Sequence, residues 1–119
     1  MIIPAELDLT IYRGATYSRQ FQWATGEPPV PVDMTGASIA MHVRPDVQSR
    51  HIFLSASTEN DRFSLENASE GRFRLLLPAP LTDLLDFDAG VYDVLVTLPD
   101  ETVWVLLRGN VSLVQRVTR

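Results

Sequence analysis

The chain has no cysteine, no lysine and no long apolar run, and each absence removes a class of function. Without thiols there is no disulfide, no thiolate metal site and no cysteine nucleophile. The longest uninterrupted apolar runs, Leu75 to Leu77 and Val103 to Leu107, fall far short of the roughly 20 residues a membrane helix needs. The N-terminus, MIIPAE, carries neither the basic region nor the apolar stretch of a signal peptide, so the chain reads as soluble and unsecreted. Its six glycines stand singly, which leaves no Gly-rich loop to cradle a phosphate, and no G-x-S-x-G turn presents a serine nucleophile. Basic charge is scarce as well. Ten arginines against 15 acids give a net charge of -5, without the basic footprint that nucleic acid requires.

What is present fits one domain, residues 1–119, long enough to bury about two-thirds of the surface of its unfolded chain. All ten basic residues are arginine, a bias that suits interfaces because guanidinium is weakly hydrated, and that nucleotide bias in a genome also produces. A mean hydropathy of +0.03 in so small a chain implies apolar surface that awaits a partner.

Apolar residues recur with period two almost throughout, the pattern of strands buried on one face. Leu7, Leu9 and Ile11 mark a first strand, joined at Gly14 by a short hairpin to a second over 16–24 with Tyr17, Phe21 and Trp23 inward. Three prolines between Thr25 and Pro31 make that segment a loop, and Asp33 to Gly36 reads as a turn. Ile39, Met41 and Val43 form a third strand; Ile52 with Leu54, and Phe63 with Leu65, mark a fourth and a fifth. Phe73, Leu75 and Leu77 lie on a sixth. Leu81, Leu84 and Leu85 follow Pro80 at helical spacing, which predicts one or two turns of helix. Tyr92, Val94, Val96 and Leu98 face inward on the next strand, and a hairpin at Pro99 to Glu101 leads into a last one. There Val103, Val105, Leu107, Val111 and Leu113 share the inner parity, with a kink expected at Gly109. The pattern predicts an all-β chain: an antiparallel, Ig-like β-sandwich of seven to eight strands with one short helical turn.

Candidate chemical groupings are poor. Asp83, Asp86 and Asp88 crowd three carboxylates into six residues but miss the alternate-ligand spacing and bend glycine of a calcium loop, so they read as solvated acids. His42 sits on the polar parity of its strand and His51 in the following turn. Glu59, Asp61, Glu66 and Glu70 lie in loops beside arginines, as solubilising charge rather than a glycosidase pair. No enzyme activity, cofactor, metal or small-molecule substrate is expected. Two apolar features stand apart: Ile2 and Ile3 at the terminus, and Trp104 with Leu106 on the outer parity of the last strand. These four are the candidate interface residues.

The order of motifs resembles a family. Leu9 to Tyr17 (LTIYRGATY) ending in Trp23, Pro31 to Ala37 (PVDMTGA), Met41 to Arg44 (MHVR), Gly71 to Leu75 (GRFRL), Leu81 to Leu85 (LTDLL), Gly90 to Val94 (GVYDV), Leu107 to Val111 (LRGNV) and Val117 to Arg119 together are similar to small β-sandwich structural proteins of tailed phages and prophages, in particular the N-terminal domain of baseplate upper proteins. Such proteins are virion components, made in the host cytoplasm. The resemblance implies an anchoring or adaptor module in a tail, baseplate or fibre assembly, binding other phage structural proteins and copies of itself, with no nucleic-acid or membrane partner. Baseplate upper proteins continue into a receptor-binding region where this sequence stops at Arg119, so a capsid-decoration or head-fibre role stays open. A free host-directed binding or inhibitor module is the alternative from another class.

Overall fold

The structure is a computed structural model that describes residues 5–118. Among the described residues, eleven strands, one short α-helix and one 3-10 turn run in the order β1 (Ala5–Glu6), β2 (Leu9–Arg13), β3 (Tyr17–Gln22), β4 (Ala24–Thr25), β5 (Val30–Pro31), β6 (Ser38–Arg44), β7 (Leu54–Ser57), β8 (Phe63–Asn67), the 3-10 turn (Ala68–Glu70), β9 (Arg72–Leu77), α1 (Ala79–Asp83), β10 (Ala89–Thr97) and β11 (Val103–Gln115). Alternation of small β-branched and aromatic residues with polar ones makes strands, and burying the apolar faces of two sheets against each other makes the sandwich. One layer has the order β1-β11-β10-β6-β7, with β2 also on β11; the other is β3-β9-β8; β4 and β5 form a separate two-stranded ribbon.

The core is the meeting of the two inner faces. Ile39, Met41 and Val43 from β6 and Val94 and Val96 from β10 lie against Phe63, Phe73, Leu75 and Leu77 of the smaller sheet, all essentially without solvent exposure. Each such side chain contributes about 1.5–3 kcal/mol of transfer free energy. Phe73 stacks on Phe21, its register partner, with ring centroids 5.2 Å apart.

The inward parities read from β6, β9 and β10 hold, and the architecture is the expected Ig-like sandwich with one short helix. Several details differ. The turn at Gly14 is not a hairpin: β2 belongs to the large sheet and β3 to the small one, so the chain changes layer there. The sheets are not wholly antiparallel either, because β1 and β2 pair parallel with β11, Ala5 opposite Leu107 and Leu9 opposite Val111. The proline-rich loop contains the β4–β5 ribbon, with Pro31 opposite Ala24. Within the turn after it, Asp33 Oδ1 accepts from the Thr35 amide at 2.9 Å as the sequence implied, while Met34 is fully buried. Ile52 is 40% exposed, and the fourth strand begins only at Leu54.

The helical turn ends at Asp83, leaving Leu84 80% exposed, and its buried residue is Thr82. The Thr82 hydroxyl accepts from the Gly14 amide at 3.0 Å and faces the carbonyls of Ala15 at 2.8 Å and Ala79 at 3.1 Å. It fastens α1 to the corner where the chain changes layer.

The last strand carries the largest correction. The β10–β11 register shifts between Val94 and Leu95, whose partners are Leu107 and Val105, so Leu106 is an extra residue in the ladder. A bulge of one residue moves every side chain beyond it to the other face. Val111 and Leu113 are inward as expected, but Val103 and Val105 turn outward while Trp104 and Leu106 turn in. At Gly109 the ladder runs unbroken; the glycine serves a close approach instead, since a Cβ there would stand 2.2 Å from the Leu7 carbonyl oxygen.

Candidate interaction surface

Of the four candidate interface residues, Ile2 and Ile3 lie outside the described residues. Trp104 and Leu106 are not an exposed pair on an outer face: Leu106 is buried to 8% exposure and Trp104 is half-buried against the core. The bulge explains the reversal. VWVLL is apolar on both parities, so periodicity carried no sign of the extra residue.

Leu106 nevertheless reaches a surface, because the bulge aims it and Leu107 into a groove at the open side of the sandwich. The groove has a volume of about 470 Å³. Phe21, Trp23 and Phe73 form its small-sheet wall; Leu106, Leu107 and Ala5 form the other. Beside it runs β3, which among the described residues pairs only with β9 and so leaves one edge of backbone donors and acceptors open. Arg19 places its guanidinium 5.7 Å from the Phe21 ring at this edge.

The outer face of the large sheet presents a second, mixed surface. Val105, Leu95 and Ala40 stand in register across β11, β10 and β6, and the next row is Arg108, Asp93 and His42. Val103, the residue read as inward, is 51% exposed at the edge of this face. Sequence reading missed both rows, because their visibility depends on knowing which strands are neighbours.

The polar candidates do not converge. His42 Nδ1 lies 3.2 Å from Arg44 Nη2 on β6, whereas the His51 ring packs edge-on against Phe53 at 5.1 Å. Asp83 and Asp88 offer their backbone carbonyls to Arg13 and Leu113. Glu66 pairs with Arg74 at 2.7 Å and Glu70 with Arg72 at 3.7 Å; Arg74 is half-buried and the other three are exposed, so these surface pairs contribute little to stability. Among the described residues no three of His, Asp and Glu gather as metal ligands.

Perturbed titrations are structural in origin. The hydroxyl and amide of Thr35 hold Asp33 below the usual carboxylate range, and those of Thr102 do the same for Asp100. Burial first, with Tyr17 nearby second, pushes Tyr92 up to about 12. The Tyr92 hydroxyl donates to the Leu7 carbonyl, at the break between β1 and β2. What the arrangement offers is an apolar groove beside an open strand edge, the kind of edge to which an extended polypeptide can add as a strand.

No family model matches the chain, and no curated protein matches it. Among solved structures, it is similar to a chain in the crystal structure of ICOS in complex with ICOS-L and an anti ICOS-L VNAR domain, with 12% identity and a TM-score of 0.50 over 95% of this chain. The present chain spans 56% of the length of that one. A structure from photo-crosslinking analyses of multimeric cell-adhesive interactions of VGSC beta subunits has 13% identity and a TM-score of 0.47, covering 98% of this chain and 96% of the other. At such identities the first likeness speaks to architecture alone, and the architecture is an immunoglobulin-like β-sandwich.

Proposed function

We propose that this chain is a structural module of a tailed-phage virion, an anchor or adaptor that holds other phage proteins in a tail, baseplate or fibre assembly. The observation that carries the reading is the order of the LTIYRGATY, PVDMTGA, GRFRL, GVYDV and LRGNV motifs. Their physical role supports it, since three of their glycines stand where a Cβ would meet backbone oxygen: Gly71 at 2.5 Å from Trp23, Gly90 at 2.7 Å from Arg44 and Gly109 at 2.2 Å from Leu7. The motifs are thus the joints of the sandwich, and a shared order of joints is a likeness of framework. A framework whose surface features are an apolar groove, an open strand edge and a mixed sheet face binds protein.

Quantitative mass spectrometry of purified particles is the test. Incorporation in a fixed copy number, matched to a tail or baseplate symmetry, is the expected result. Recovery only from the cytosol of infected cells, bound one-to-one to a host protein, would overturn the virion reading in favour of a host-directed binding module.

A further inference from the structure

We propose that the outer face of the large sheet is a self-association face, on which a second copy of this chain packs about a two-fold axis running along the strands between β10 and β11. The proposal rests on the reading of the chain as a protein-binding module and not on the virion assignment. The order of charge across the face selects the occupant. In strand order β1-β11-β10-β6, one row is Glu6, Arg108, Asp93 and His42, with Glu6 and Arg108 paired at 2.9 Å. In the next row Asp8 accepts from the Asn110 amide at 3.0 Å, and Asn110 is followed by Val91 and Arg44. Acids thus hold one side of the face and basic groups the other, with an arginine and an aspartate between them.

A two-fold along the strands reverses each row and lays it on itself. Arg108 then faces the partner's Asp93 at two equivalent places, Glu6 faces the partner's His42 and Asp8 faces the partner's Arg44, so each acid of the two rows meets a basic side chain. A two-fold laid along the first row would instead set Arg108 on the partner's Arg108 and Asp93 on the partner's Asp93. On the other side of the charged row, Val105 and Leu95 stand in register, both half-buried, and the same axis brings each against the other in the second copy. Four strand positions at about 4.8 Å and the nine residues of β10 at about 3.3 Å give a face about 19 Å by about 30 Å, at the lower end of specific interfaces.

Sedimentation equilibrium of the purified full chain tests the proposal. The wild type should dimerise reversibly, and less tightly as salt rises. Asp93→Arg places like positive groups across the axis and Arg108→Asp like negative ones, so each variant alone should self-associate at least about 100-fold more weakly. Mixed in equal amounts the two are complementary, and dimers should return, a rescue that no contact within one chain produces. A wild type still monomeric at about 1 mM overturns the proposal, as do single variants that dimerise like the wild type or a mixture that stays monomeric. Should a charge variant lose strand content, the chain's lack of cysteine supplies a second readout. A nitroxide on unlabelled Val103→Cys chains should broaden amide signals of β10 and β11 in isotope-labelled wild-type chains, and broadening confined to other strands overturns the assignment.

Discussion

Replacing Thr82 by valine should cost more stability than its small change in shape suggests. The hydroxyl accepts from the Gly14 amide at 3.0 Å and donates its one proton to the carbonyl of Ala15 or of Ala79. Valine keeps the volume, so no cavity opens; what changes is that the Gly14 N–H and the Ala15 carbonyl lose their partner. Two neutral hydrogen bonds are worth about 1 kcal/mol each, and leaving the amide unpaired at a part-buried corner adds to that loss. The expected destabilisation is about 2–3 kcal/mol. At about 4 °C per kcal/mol for a domain of this size, the melting temperature falls by about 8–12 °C. Thr82→Ser retains the hydroxyl and loses one methyl, for about 1 kcal/mol. Urea titration with unchanged m-values measures both. A Thr82→Val variant within 0.5 kcal/mol of wild type, or a serine variant as damaged as the valine one, would refute the role assigned to the hydroxyl.

Three further outcomes follow from the geometry. Gly109→Ala forces a Cβ toward the Leu7 carbonyl oxygen and should cost about 3 kcal/mol, whereas Gly26→Ala meets nothing nearer than 3.6 Å and costs only the strain of its φ of +93°, about 1 kcal/mol; thermal melts compare them. Trp104→Ala should destabilise by about 2 kcal/mol because the indole packs on the core, and Val103→Ala should stay within about 0.5 kcal/mol, the reverse of what an unbroken parity implies; chemical denaturation decides. Tyr92 holds its proton more tightly in the folded state, so its contribution is complete below pH 10 and is lost as pH rises from 10 through about 12. Alkaline melts should show this loss in the wild type and a flatter profile in Tyr92→Phe.

The strands were legible where one parity is apolar and the other polar, as in Ile39-Met41-Val43 and in Phe73-Leu75-Leu77. Local sequence does not encode which sheet a strand joins. The step from β2 to β3 passes through Gly14 as a hairpin would, yet the chain changes layer there, a choice made by contacts such as Thr82 from a segment far along the chain. The pairing of β2 with β11 is beyond any local pattern for the same reason. Met34 sits among turn residues and is buried because its turn folds back onto the Ala68 carbonyl, which its amide reaches at 2.7 Å. The candidate surface was not legible: Leu106 lines the groove through a bulge that five consecutive apolar residues conceal, not as half of an exposed outer pair.

The parallel pairing of the first long strand with the last bears on how the domain carries load. Because β2 and β11 run the same way, the start of one and the finish of the other point to opposite ends of the sandwich. Tension applied between those ends slides Leu9–Arg13 along Val111–Gln115, so all the hydrogen bonds of that ladder are strained together. The antiparallel hairpin of β10 and β11, pulled at its open ends, would instead yield one bond at a time. Pulled by its two terminal strands, the sandwich meets the force in shear, the direction in which a β-ladder is hardest to part.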